Sequence, residues 1–214
     1  MPATEHFTVS PIAIALATIM AIPSNSTYPA GGTWFDTLNK SFVDVPVDAS
    51  KDNAIPTDKL GSVAFIPVKN DLVGNIKKVR DRQLASPAES ETLQSLVINE
   101  LKTKKHVATE GLLWLVRGLD FTAQAIRHNL LNPSDELSVS FRNAYGNTLK
   151  PHHSFMVKPI FSAAMSATPY RKDFYTKLGD DQGKVDSTAN TWLGALEKQV
   201  GILKDFQGRK EAKW

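Results

Sequence analysis

The stretch Lys69-Asn70-Asp71-Leu72-Val73-Gly74-Asn75-Ile76-Lys77-Lys78-Val79 sorts its residues by chemistry at a helical period. Asp71, Asn75 and Lys78 follow one another at steps of four and three, which places them on one side of an α-helix. Leu72, Val73, Ile76 and Val79 take the other side. A carboxylate, an amide and an ammonium in one row supply acceptors and donors together, the set that grips a polyhydroxyl or another polar headgroup. No familiar catalytic motif accompanies them, so the row points to recognition rather than to chemistry.

Outward from that helix the pattern stays helical. Asp71 to Leu84 reads as the first clear helix, and Glu89 to Lys104 as the second, with Leu93, Leu96, Val97 and Leu101 at helical spacing. Ala108 to Leu131 is long and apolar and ends at Asn132-Pro133. Glu136 to Leu149 follows. Pro151 suits the first turn of a helix reaching about Ala167, with a kink expected at Pro159 and a stop at Pro169. Asp173 to Leu178 is a short helix before Gly179, and Lys184 to Phe206 is the last long one. Residues 33–59 are mixed and turn-rich. There is no internal repeat and no convincing strand pair, so the expected body is all-α, a single domain over residues 31–214.

Composition narrows the function. The chain has 214 residues, a net charge of +3 and a pI near 9.0, which suits weak attraction to an anionic membrane surface better than nucleic-acid binding. It has no cysteine, which excludes disulfides, thiolate metal sites and cysteine nucleophiles and fits a cytoplasmic location. The histidines share no ligand spacing, and neither a metal nor a cofactor is expected. The longest apolar run, Pro11 to Pro23, falls short of the roughly 20 residues of a membrane span. It has the length of a signal-peptide core, but the residues before it include Glu5 and His6 and no Lys or Arg. The sequon Asn25-Ser26-Thr27 matters only in a secreted chain.

Two further constellations stand out. In Glu110-Gly-Leu-Leu-Trp-Leu-Val-Arg-Gly-Leu-Asp-Phe121, Trp114, Gly118 and Phe121 share a face, with Gly111 one turn earlier. Each glycine costs a helix roughly 1 kcal/mol against alanine, so two imply a need for space. Trp114 is then either a core residue or a platform on which a sugar stacks. His153 heads an apolar face of Val157, Ile160, Phe161 and Ala164. It is either a satisfied core histidine or a donor to a ligand carbonyl at the mouth of an oily cavity. Asp71 and His153 could form an acid–base pair, but there is no nucleophile elbow and no phosphate loop, so an enzyme, such as a lipid hydrolase, is not expected.

Several of these stretches resemble the glycolipid transfer protein family. They are Leu60-Gly-Ser-Val-Ala-Phe-Ile-Pro-Val-Lys-Asn-Asp-Leu-Val-Gly-Asn-Ile-Lys-Lys78, Gly111-Leu-Leu-Trp-Leu-Val-Arg-Gly-Leu119 and Leu149-Lys-Pro-His-His-Ser-Phe-Met-Val-Lys-Pro-Ile-Phe161. Ala167-Thr-Pro-Tyr-Arg-Lys-Asp-Phe174 and Glu211-Ala-Lys-Trp214 look most like the fungal heterokaryon-incompatibility branch. The resemblance implies an all-α, two-layer sandwich that binds one glycosphingolipid, its sugar on a polar surface site and its ceramide in an apolar tunnel. Matched by position, Asp71, Asn75 and Lys78 are headgroup-binding, Asp71 and His153 clamp the ceramide amide, and Trp114 is the sugar platform. Trp214 falls where the family often places an aromatic near the sugar. Phe65, Phe121, Leu149 and Phe161 match tunnel-lining positions.

The implied activity is transfer between membranes without covalent change, by a monomer that touches membranes transiently. Phe155 and Tyr170, with Lys158, Arg171 and Lys172 nearby, are the expected docking residues. Asn75 and Trp114 stand where carriers of ceramide-1-phosphate have basic residues, which favours a neutral sugar of the glucosyl- or galactosylceramide kind. Two alternatives are a sensor that binds the lipid without net transfer and a ceramide-1-phosphate carrier. Two departures also follow. Family members have a long apolar helix between the positions of Thr57 and Leu60, where this chain has only Asp58 and Lys59; about four turns, ~20 Å of helix, would be missing. Residues 1–30 have no family counterpart. They read as a disordered appendage or a gene-model artefact, unless Pro11 to Ala21 folds back to fill the gap.

Overall fold

The computed structural model describes residues 28–38, 41–57 and 71–214, with backbone only for 71–73. Phe65, the expected missing helix and the apolar run Pro11 to Pro23 lie outside the described residues. The helices are α1 (Asp71–Ala85), α2 (Leu93–Lys102), α3 (Val107–Leu131), α4 (Leu137–Asn147), α5 (Val157–Ser166), α6 (Arg171–Thr176) and α7 (Gln182–Gly208). Short 3-10 turns punctuate residues 34–51, in keeping with the turn-rich reading. Among the described residues no helix is long and apolar enough to cross a membrane.

Local chemistry explains most boundaries. Thr92 caps α2 through a box with Ser95, so this helix starts at Leu93 and not at Glu89. Asp181 caps α7 by accepting from Lys184 N at 3.0 Å. α3 has no cap of its own at His106. The buried Glu100 of α2 supplies one: its carboxylate accepts from Ala108 N (2.9 Å), Thr109 N (2.7 Å) and the Thr109 hydroxyl (2.7 Å). A carboxylate against a helix N-terminus is stabilised by the exposed amides and the helix dipole, which offsets its burial. The reversal between α2 and α3 places Lys104 at φ 60°.

The segment after α4 departs from expectation. Pro151 lies in a 3-10 turn, Lys150–His152, and does not open a long helix. The chain then extends through His153 (ψ 136°) before α5 begins at Val157. Pro159 therefore sits in the first turn of α5, where its missing N–H costs nothing, and causes no kink.

α3, about 37 Å long, is the spine, packing against α1, α2, α4 and α7. Three apolar clusters surround it. One joins Phe121 of α3 with Phe141 and Tyr145 of α4, Leu149, and Phe161 of α5. A second joins Leu112, Leu115 and Val116 with α1, α2 and the end of α7. In the third, Phe42 and Phe35 pack on Trp192 at ring separations of 5.1 and 5.8 Å, fastening the 3-10 segment to α7.

The two glycines of α3 differ. A Cβ added at Gly111 would lie 3.1 Å from the Asn75 carbonyl oxygen and 3.2 Å from Lys78 Cβ, whereas one at Gly118 would meet nothing within 4 Å. Only Gly111 is required by packing. We expect Gly111→Val to destabilise the fold by about 2 kcal/mol through overpacking against α1. Gly118→Ala should stabilise it by up to about 1 kcal/mol through helix propensity. Urea unfolding of both variants checks the opposite signs.

Candidate functional site

The site is assembled from three places in the chain. α1 contributes Asn75, which is buried, and Lys78, whose ammonium donates to Asn75 Oδ1 at 3.1 Å. The close approach at Gly111 sets this pair against α3. One turn further along α3 stands Trp114, half-buried at the edge of the first apolar cluster. The segment before α5 contributes His153, 8% exposed, whose ring stacks on Trp114 with centroids 6.1 Å apart and an 16° interplanar angle. The side chain of Asp71, which begins α1, lies outside the described residues.

His153 is placed by an extended backbone and three aromatic neighbours. Its Nδ1 is 3.0 Å from the Tyr145 hydroxyl, and Phe161 packs on its ring at 4.5 Å. Tyr145 in turn stacks on Phe161 at 5.0 Å and meets Phe121 at 6.5 Å. Among the described residues Nε2 has no hydrogen-bond partner. In the tautomer in which Tyr145 donates to Nδ1, the imidazole proton sits on Nε2, free to be donated to a carbonyl oxygen. Burial, reinforced by the charges of His152, Lys158 and Arg117, pulls the His153 pKa from 6.5 down to about 4. The ring is thus neutral near pH 7.

Of the expected tunnel-lining residues, Phe121, Leu149 and Phe161 are fully buried in one cluster, adjoining His153 and Trp114. A polar edge therefore meets an oily interior. Trp214 is 57% exposed and stacks on His106 at 5.6 Å. It shares a groove with Arg117, whose guanidinium lies 4.9 Å from the centre of the Trp114 ring. Phe155 (82% exposed) and Tyr170 (72%) are open to solvent, as is Lys158. Met156 and Ile160 add exposed apolar surface beside Phe155.

Sequence reasoning missed two participants. Tyr145 lies on α4 one turn from Phe141, and nothing local in the sequence marks it as the partner of His153. Arg117 stands inside the Trp114 motif, three residues on, and that i, i+3 spacing was the available signal.

A family model described as glycolipid transfer protein (GLTP) matches residues 47–180. The chain belongs to the glycolipid transfer protein family. A glycolipid transfer protein of the fungus Aureobasidium melanogenum is 64% identical over 200 residues, covering 88% of this chain and all of that one. The crystal structure of HET-C2, a fungal glycolipid transfer protein, superposes with a TM-score of 0.77 at 58% identity, over 84% of this chain and 99% of that one. These two matches bear out the resemblance to the fungal branch of the family, and with it the all-α sandwich. The mouse pleckstrin homology domain-containing family A member 8 is 37% identical over 80% of this chain, which spans 38% of that longer protein. A mouse ceramide-1-phosphate transfer protein (TM-score 0.66, 19% identity, 80% of this chain and 94% of that one) shares the fold alone.

The neutral, buried His153 makes stability depend on pH. Its folded-state pKa lies below the unfolded value, so its contribution is complete above about pH 6.5 and is lost as pH falls toward 4. The loss should reach about 2–3 kcal/mol at about pH 4.5. His153→Asn should remove this component. Urea unfolding at the two ends of the range tests it: equal pH slopes for wild type and variant would exclude the assignment.

Proposed function

We propose that this chain binds one glycosphingolipid and carries it between membranes. The observation that carries the reading is the meeting of Trp114 and His153 beside the Asn75–Lys78 pair, at the edge of the apolar cluster of Phe121, Leu149 and Phe161. In this reading the sugar stacks on Trp114 and bonds to Asp71, Asn75 and Lys78. The ceramide amide lies between Asp71, which takes its N–H, and His153 Nε2–H, which donates to its carbonyl. The acyl chains enter the space lined by Phe65, Phe121, Leu149 and Phe161, and Trp214 closes one side of the sugar site.

The energetics fit a carrier. Each buried CH₂ is worth roughly 0.8 kcal/mol, so an ordinary acyl chain resists leaving a bilayer by about 10 kcal/mol or more. An apolar interior that replaces the bilayer nearly cancels this term, which is the same for any lipid of that chain length. Selection then falls to the headgroup, where an unmatched polar group costs about 1–3 kcal/mol. No bond is made or broken, so the protein is a carrier and not an enzyme. It acts as a cytoplasmic monomer on glucosyl- or galactosylceramide-like lipids. It touches the membrane transiently through Phe155 and Tyr170, with Lys158 facing anionic lipid; the exposure of these side chains supports that assignment.

Donor vesicles carrying labelled glucosylceramide, mixed with acceptors, test the proposal. Intact label should reach the acceptors. Trp114→Ala should lower sugar-lipid affinity by at least about tenfold, the loss of roughly 1.4 kcal/mol of stacking, with helix content retained. Bound label that never moves would mark a sensor, and cleaved label a hydrolase; either outcome sinks the carrier reading.

A further inference from the structure

The Tyr145 hydroxyl has one hydrogen-bond partner among the described residues. Its Oη lies 3.0 Å from His153 Nδ1 and bonds to nothing else there. Both side chains are buried, at 5% and 8% exposure. Burial raises the Tyr145 pKa from its ordinary value of 10.0 and pulls that of His153 down to about 4. Near pH 7 both groups are therefore neutral. The phenol keeps its proton, and the imidazole carries one proton on either Nδ1 or Nε2.

Two arrangements are open. In one, the phenol donates to Nδ1 and the imidazole proton sits on Nε2. In the other, Nδ1–H donates to Oη, which strands the phenolic proton in a buried setting and leaves Nε2 a bare acceptor. A buried donor without a partner forfeits its hydration and gains nothing in return, so the first arrangement prevails. The ring that carries the hydroxyl is fixed. It stacks on Phe161 at 5.0 Å and meets Phe121 edge-on at 6.5 Å, and both of those rings are fully buried. The imidazole is held in turn by Phe161 at 4.5 Å and Trp114 at 6.1 Å, which opposes a flip of its ring.

We infer that Tyr145 is a positioning residue: its hydroxyl occupies Nδ1, fixes the His153 proton on Nε2 and aims that N–H at the carbonyl of the lipid amide. Tyr145 touches no ligand in this account and acts through His153. The inference rests on the glycolipid reading above for its ligand, and deepens it by naming what selects the acyl carbonyl. An unconstrained imidazole interchanges two tautomers and two ring orientations, and the wrong ones present a lone pair or a C–H to an incoming carbonyl. The Tyr145 hydroxyl settles that choice before a lipid arrives, so the ordering cost is not charged against binding. The same arrangement leaves no acceptor on the ring for a lipid that offers a donor at this point.

The lipid-free protein tests the proton placement. In 15N-labelled wild type at pH 7, His153 should show a directly bonded proton on Nε2 and none on Nδ1. Tyr145→Phe keeps the ring and its stacking, and should split or broaden the His153 ring signals as other arrangements become populated. It should also weaken binding to glucosylceramide-doped phosphatidylcholine vesicles about fivefold, through lost preorganisation of one hydrogen bond. In a His153→Ala background the same substitution should change affinity by less than about twofold, because the residue it acts through is gone. A proton on Nδ1 in wild type overturns the inference, as do ring signals that Tyr145→Phe leaves unchanged. An equal loss of affinity in both backgrounds also overturns it, by reducing Tyr145 to packing. A proton on Nε2 that Tyr145→Phe releases, in a protein that binds no glucosylceramide, would support Tyr145 as the residue that sets the ring while sinking the glycolipid reading.

Discussion

The approach of α1 to α3 at Gly111 governs the candidate site. With no side chain at that position, the Asn75 carbonyl and the Lys78 stem settle against the α3 backbone. Asn75 and Lys78 are thereby held against the same helix that carries Trp114 one turn away. Both halves of the polar recognition surface thus belong to long helices with apolar anchorage. α3 is further tied to α2 by the Glu100 carboxylate at its N-terminus and to α7 by the Arg127–Glu197 pair. A site referred to packed helices keeps its geometry in a way that loops do not.

The second element is the boundary between that polar surface and the apolar interior. His153 stands on it. One ring nitrogen faces Tyr145, the ring face meets Trp114 and Phe161, and the remaining nitrogen has no partner among the described residues. Burial keeps the imidazole uncharged, so it offers a single directed N–H and no net charge. This suits the carbonyl of an uncharged amide. Below it the aromatic stack of Tyr145, Phe161 and Phe121 leads into the core without further polar groups being required. Direction at the boundary and indifference beneath it are the physical conditions for a carrier that reads the head of a lipid and merely shelters its tails.

Charge extends the surface in one direction. Arg117 and Lys213 place positive charge on the side of Trp114 facing the C-terminal segment, while the nearby acid Glu100 is consumed as a helix cap. The stacking of Trp214 on His106 fastens that segment beside the turn between α2 and α3, which gives the groove its outer wall.

The sequence by itself determined the helical class, the bounds of α1 and α3 to within a residue or so, and the row of Asn75 and Lys78. These rest on periodicity, capping and breaker residues acting within a few positions of one another. It also carried the family likeness, motif by motif. It merged residues 151–167 into one kinked helix, because a proline fits the first turn of a helix equally well at Pro151 and at Pro159. It treated Gly111 and Gly118 alike, since the difference between them is what lies across the gap. Only the tertiary structure decided that His153 sits on extended backbone between Tyr145 and Trp114, that the Arg117 guanidinium lies over the Trp114 ring, and that Trp214 reaches back to His106. The first and last depend on groups brought together from distant parts of the chain, and stacking and burial are properties of that assembled neighbourhood, which no local pattern encodes.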